Sequence, residues 1–175
     1  MLKRVLSITS LLFALTTCYS YAQQTLTLDN LIAMQQGGPG AINRTLLPRG
    51  WVFKGHDDDQ GTSCEFPGIT WVYAPSSLSE RAVAFLSLMK DEDCLYAVGY
   101  QTGRLETYEA IMATITRYGM TQIKSDVETS EDGESNVVEY YAGKNYQVRV
   151  SIGSGQNDSG DLKNSYVFTV FRKSE

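Results

Sequence analysis

The chain has 175 residues, 42% of them hydrophobic and 11% aromatic, with 15 basic residues against 20 acidic ones and a formal charge of −5. That balance offers no electrostatic footprint for nucleic acid and gains little from an anionic membrane surface. The length suffices for one domain with a sizeable core.

The first segment is a leader. Lys3 and Arg4 precede an apolar run from Val5 to Leu15, and Ser20-Tyr21-Ala22 puts small residues at the positions a signal peptidase reads. Residues 1–22 therefore read as a secretory signal, too short for a comfortable transmembrane span. The pattern predicts an exported protein, periplasmic or extracellular, cut after Ala22. Lipid attachment at Cys18 is the alternative, although Thr17 is bulky for the position before a lipidated cysteine. No later stretch is long and apolar enough to span a bilayer. Lys3 and Arg4 leave with the leader and no acidic residue does, so the remainder carries 13 basic and 20 acidic residues, a charge of −7. Two cysteines remain, Cys64 and Cys94. In an oxidising compartment they predict one disulfide rather than a redox pair, which would want C-x-x-C spacing. Closing that loop adds roughly 3–4 kcal/mol if unstrained.

Thr27 caps a short helix carrying Leu28, Leu31 and Ile32, and Gly37-Gly38-Pro39-Gly40 breaks it. A second short helix with Ile42, Leu46 and Leu47 ends near Pro48 and Gly50. Strands are predicted at Trp51–Lys54, Ile69–Tyr73, Ala82–Leu88 and Leu95–Gln101. The central helix has Thr102 as its expected N-cap and a stripe of Leu105, Tyr108, Ile111, Met112, Ile115 and Tyr118 at steps of three and four, with Gly119 as a left-handed stop. Four more strands follow: Met120–Ser125, Asn136–Ala142, Tyr146–Ile152 and Ser165–Arg172. An acidic turn (Ser130–Ser135), a tight turn at Gly143-Lys144-Asn145 and a polar loop (Gly153–Lys163) separate them.

The two halves share this order. Leu47-Pro48-Arg49-Gly50-Trp51 aligns with Thr116-Arg117-Tyr118-Gly119-Met120, and Trp71-Val72-Tyr73-Ala74 with Glu139-Tyr140-Tyr141-Ala142. The fold class expected is α+β: a tandem repeat, residues 23–102 and 103–175, of short helices plus a four-stranded antiparallel sheet, with helices on one sheet face and the whole forming one compact domain. Strand residues alternate between faces. If Arg149 and Glu139 avoid the helices, then Tyr146, Val148, Val150 and Tyr140 face inward and Tyr141 outward. Carried across the alignment, that phase sends Val72, Tyr96, Val98 and Tyr100 inward and Trp71, Tyr73, Val83 and Phe85 outward, alongside Tyr141, Arg149, Thr169 and Phe171. An antiparallel sheet covered on one side leaves such a face free, and Trp, Tyr and Arg are the residues that anchor interfaces.

This arrangement resembles the β-lactamase inhibitor protein fold, on the helix-Gly-strand units at Leu47–Trp51 and Thr116–Met120 and the outward Trp71, Tyr73, Phe85 and Tyr141. The resemblance implies a tandem repeat that grips a target protein with an aromatic-rich concave sheet. The chain departs from that family in having one cysteine pair in its first half and none in its second.

Chemistry is harder to find. The lone histidine, His56, adjoins Asp57-Asp58-Asp59, and no G-x-S-x-G or zinc ligand set accompanies it. Neither Asp57/Asp59 near Gly61 nor Asn157–Asp161 completes a calcium loop. Glu128 and Glu131 could serve a glycosidase-type reaction only if placed in one cleft, and Gly153-Ser154-Gly155 lacks the lysine of a phosphate loop. The reading is a non-catalytic, exported binding or inhibitor-like module without cofactor or metal. It binds a protein or envelope component through Trp71, Tyr73, Phe85, Tyr141, Arg149 and Phe171, with Cys64 and Cys94 as a brace. The alternatives are a carboxylate-dependent envelope hydrolase and a structural subunit of an envelope assembly.

Overall fold

The computed structural model of the protein describes residues 25–57, 68–73, 82–91, 94–129, 135–156 and 162–173. Thr27 opens the first helix, α1 (Leu28–Leu46). Its hydroxyl accepts from the Asn30 N–H while the Thr27 N–H donates to the Asn30 side chain, a reciprocal cap for two otherwise orphaned donors. Leu28, Leu31, Met34, Ile42 and Leu46 form the buried stripe. The Gly37–Gly40 run separates two helical segments within α1, as expected, because the backbone leaves helical geometry at Gly38. Gly38 takes φ +59°, and Pro39 follows it where a restarting helix has no N–H to lose.

A 3-10 turn (Leu47–Arg49) leads to Gly50 at φ +80°. There the Gly50 N–H donates to the Leu47 carbonyl and the Trp51 N–H to that of Leu46. The second helix, α2 (Leu105–Arg117), ends in the same way: Gly119 N–H to Thr116 and Met120 N–H to Ile115. Both are Schellman closures, which need a left-handed residue at the turn. The start of α2 differs from expectation. Thr102 belongs to the preceding strand, its hydroxyl accepting from the Arg104 N–H at 3.3 Å, and Arg104 is the N-cap without a side-chain bond. Ile111 and Ile115 are fully buried together with Thr107, whereas Leu105 and Tyr118 at the two ends of the expected stripe are half exposed.

Four strands follow each helix: β1 (Val52–Asp57), β2 (Gly68–Tyr73), β3 (Ala84–Lys90) and β4 (Tyr96–Thr102) after α1, and β5 (Thr121–Thr129), β6 (Ser135–Ala142), β7 (Tyr146–Gln156) and β8 (Leu162–Arg172) after α2. They form one antiparallel sheet in the order β1-β2-β3-β4-β8-β7-β6-β5. The expected repeat of short helices over a four-stranded sheet is thereby corrected. The last strand of each half, β4 and β8, pair with each other from Val98↔Val170 to Thr102↔Tyr166, giving a single eight-stranded sheet with two helices. The physical reason is edge chemistry. β4 and β8 are the strands with the most buried residues, and leaving either as a free edge would strand its backbone donors and acceptors. The loop expected over Gly153–Lys163 is also shorter, because β7 and β8 stay paired out to Gln156↔Leu162.

The core lies between the helices and one face of this sheet. Leu28, Leu31, Met34, Ile42, Ile111 and Ile115 meet Trp71, Leu86, Leu88, Val98, Tyr100, Val148, Val150, Phe168 and Val170 there. A bond from Tyr118 Oη to Asp29 and an Arg117–Asp29 contact at 3.6 Å join the C-terminal end of α2 to the first turn of α1.

Candidate functional site

Residues directly opposite one another on paired strands share a face, so the register assigns every side. One row runs Val52, Val72, Phe85, Gln101, Val167, Ser151, Val138, Asp126 across all eight strands. A second runs Thr70, Ser87, Gly99, Thr169, Arg149, Tyr140, Lys124. Both lie on the face away from the helices, since their chain neighbours Trp71, Leu86, Val98, Phe168 and Val150 form the helix-packed core.

The six expected binding residues divide between the two faces. Phe85, Arg149 and Phe171 stand on the helix-free face, half-buried. Trp71, Tyr73 and Tyr141 do not. Trp71 is 1% exposed, its indole Nε1–H donating to Asn43 Oδ1 of α1 at 2.9 Å. Tyr73 is 4% exposed with its ring 5.7 Å from that of Trp51. Tyr141 packs against the core and donates to Glu139 Oε2 at 2.8 Å. Burial first, and the Glu139 bond second, push the Tyr141 pKa up to about 12. Tyr108 of α2, stacked on Tyr166 at 4.6 Å, is raised first by burial and then by the negative charge of Glu139. Val72 and Tyr140, expected to face inward, are the residues that belong to the helix-free face.

All these errors have one source. Glu139 lies opposite Val150, so it shares the helix side and cannot be used to send Tyr141 outward. Its carboxylate is tolerated there because this end of the sheet is still reached by solvent and the Tyr141 hydroxyl supplies a donor. The cross-strand pairing of β6 with β7 would have revealed it: Val148 and Val150 face the core, so their partners Tyr141 and Glu139 must as well.

The helix-free face has a distinct middle and end. Gly99 sits at its centre because any Cβ there would lie 2.5 Å from Ser87 Oγ. Thr169 and Ser151 beside it are buried, as are Ala97 and Val138, which take no part in the helix-packed core. Around this floor of small residues stand Phe85, Met89, Phe171, Tyr140 and Arg149. At the β5 end, Arg149 Nη2 lies 2.5 Å from Glu128 Oε2, and Tyr140 Oη donates to Glu128 Oε1 at 3.4 Å. Lys124 reaches Asp126 at 3.0 Å and lies 5.5 Å over the Tyr140 ring. The Lys124 bond holds the Asp126 carboxyl below its ordinary range and raises the lysine in return. At the opposite end Lys54 lies 5.9 Å over Phe85.

Other chemistry is sparse among the described residues. His56 is exposed on the edge strand β1. No group of three or more His, Cys, Asp or Glu side chains gathers to hold a metal ion among the described residues. Glu128 is engaged by Arg149, and Glu131, Asp58, Asp59 and residues 157–161 lie outside the described residues. Cys94 is exposed at the β3–β4 turn with φ +61° and is disulfide-bonded; Cys64, its expected partner, lies outside the described residues. No described helix is long and apolar enough to cross a membrane. Compared with known protein families, characterised proteins and solved structures, the chain matches none.

Proposed function

We propose that the protein is an exported, non-catalytic binding module that takes a protein partner on the helix-free sheet face. The observation that carries this reading is the placement of Phe85, Phe171, Tyr140 and Arg149 on one face that contributes nothing to the helix-packed core. Seven strand spacings make that face about 34 Å wide, which suits the roughly 800 Å² that each partner contributes to a standard interface. Half-buried aromatics and an arginine over a floor of small residues provide rigid anchors with clear ground between them. The acidic leaderless chain, at −7, favours a protein surface over nucleic acid or anionic lipid.

The test is capture from envelope and secreted fractions, followed by titration of whatever protein is retained. Native protein is compared with Phe85→Ser/Phe171→Ser, and with Leu105→Ser on exposed helix surface as a control. The double variant is expected to weaken the complex by about 100-fold or more, the scale of two interface anchors, and the helix-side variant to leave it unchanged. A retained protein that binds the double variant as tightly as native, or no differential partner at all, contradicts the reading.

A further inference from the structure

A cleft of about 550 Å³ opens on the other side of the sheet, between α1 and the strand ends, lined by Gln35, Gln36, Leu95, Tyr96, Asn145, Tyr146 and Arg172. Gln35 is the unusual member. It falls four residues after Leu31 and seven after Leu28, on the buried stripe of α1, where a helix normally carries an apolar side chain. It is 4% exposed; its Nε2–H donates to the Tyr96 carbonyl at 2.8 Å, and its Oε1 has no hydrogen-bond partner. A buried acceptor without a donor is destabilising, so a residue that keeps one at a cleft wall is suited to a ligand that supplies the donor.

The rest of the cleft indicates the ligand's charge. Arg172 lines it and takes part in no ion pair among the described residues. Lys90 lies 5.8 Å over the Tyr96 ring, and Lys144 and Lys173 flank Asn145 and Arg172 in the chain. Of the acidic residues near these in the chain, Asp91 accepts from the Leu95 N–H at 2.9 Å, and Glu92, Asp93 and Glu175 lie outside the described residues. Arg172 and Lys90 thus border this cleft on a chain that is acidic overall. The walls are fixed as well. Gly38 is held at φ +59° against Tyr96, whose ring a Cβ would approach to 2.9 Å, the Asn145 carbonyl accepts from the Lys173 N–H at 3.0 Å, and Gln36 donates to Tyr146 Oη.

We propose that this cleft binds a small carboxylate that also carries an N–H donor, the chemistry shared by an N-acylated amino acid and the C-terminal residue of a peptide. Arg172 would take the carboxylate, for which a planar guanidinium is suited, and Gln35 Oε1 would accept from the N–H. The volume falls in the usual range for small-ligand sites, about 300–1,000 Å³. This site is separate from the helix-free face and does not depend on it.

The experiment is an NMR titration of the purified protein with N-acetylglycine, N-acetylglycinamide, acetate and N-acetyl-alanyl-alanine. N-acetylglycine is expected to shift the Gln35 side-chain amide and the Tyr96 and Arg172 backbone signals. The amide, lacking the charge, and acetate, lacking the N–H, should each bind about tenfold more weakly or worse, the scale of one lost charge-assisted bond. Arg172→Gln, an exposed and fold-neutral change, should produce the same loss, and Gln35→Met a further one. Tighter binding of the dipeptide would identify a peptide terminus as the occupant, and equal binding a small acid; either supports the site. No saturable shift with either carboxylate, or shifts that persist unchanged in Arg172→Gln, would overturn it.

Discussion

β2 and β6 occupy corresponding places, each next to an edge strand, and each turns its odd-numbered residues toward the helices. Yet Trp71 and Tyr73 of β2 are sealed at 1% and 4% exposure, while Glu139 and Tyr141 of β6 keep contact with solvent. The difference lies in what covers them. α1 has 19 residues and packs on β3, β4 and β8, and its Asn43 reaches Trp71. α2 has 13 and spends its aromatic contact, Tyr108, on Tyr166 and Phe168 of β8. Beyond it the described residues of β5 are exposed along their whole length, Ile123 and Val127 included. The helix side is thus closed at β2 and has an open margin at β6. A carboxylate on the helix side is compatible only with the second.

Three changes sharpen that contrast. The largest effect is expected at Trp71→Ala, which removes a buried indole and leaves Asn43 without its donor; about 3–5 kcal/mol should be lost in chemical denaturation, whereas Glu139→Ala at the corresponding place should cost about 1 kcal/mol or less. A loss of similar size at both would mean that the two margins are equally closed. The intermediate effect is alkaline. Tyr141 has a pKa of about 12 against an ordinary value of 10.0, so the native state holds its proton more tightly than the unfolded chain does. Its contribution to stability is complete below about pH 10 and is lost as pH rises toward 12. Tyrosinate absorbance should lose one late-titrating component in Tyr141→Phe, and that component should move down in Glu139→Gln; an unmoved titration would contradict the Glu139 contact. The smallest effect is expected at Val127→Thr on β5, within about 0.5 kcal/mol by thermal melting. A greater cost would show that something covers this strand.

Much of the fold could be read from the residues, because it rests on local signals. The capping pair Thr27/Asn30, the stops at Gly50 and Gly119, and the alternation of β3 and β7 each follow from one segment's own chemistry. The joining of β4 to β8 is not local. It depends on which edge finds a partner, and the only sign in the sequence is that Tyr96–Tyr100 and Tyr166–Phe171 are the most continuously apolar strands. The proposed binding face was half legible. Arg149 was placed by alternation within its own strand and Phe85 by carrying a phase across the two halves, while Trp71, Tyr73 and Tyr141 were misplaced by one assumption about Glu139 that pairing with Val150 overrules. Gln35 was not singled out in the sequence, because its cleft needs Arg172 and Asn145, which only the folded sheet brings beside it.

The most direct test of the proposed binding face is hydroxyl-radical footprinting of the protein alone and with any partner that it captures. Phe85, Phe171 and Tyr140 should be labelled in the free protein and protected in the complex, while Trp71 and Tyr73 stay unlabelled in both. Labelling of Trp71 in the free protein, or a complex that leaves Phe85 and Phe171 as reactive as before, would contradict the assignment of the helix-free face.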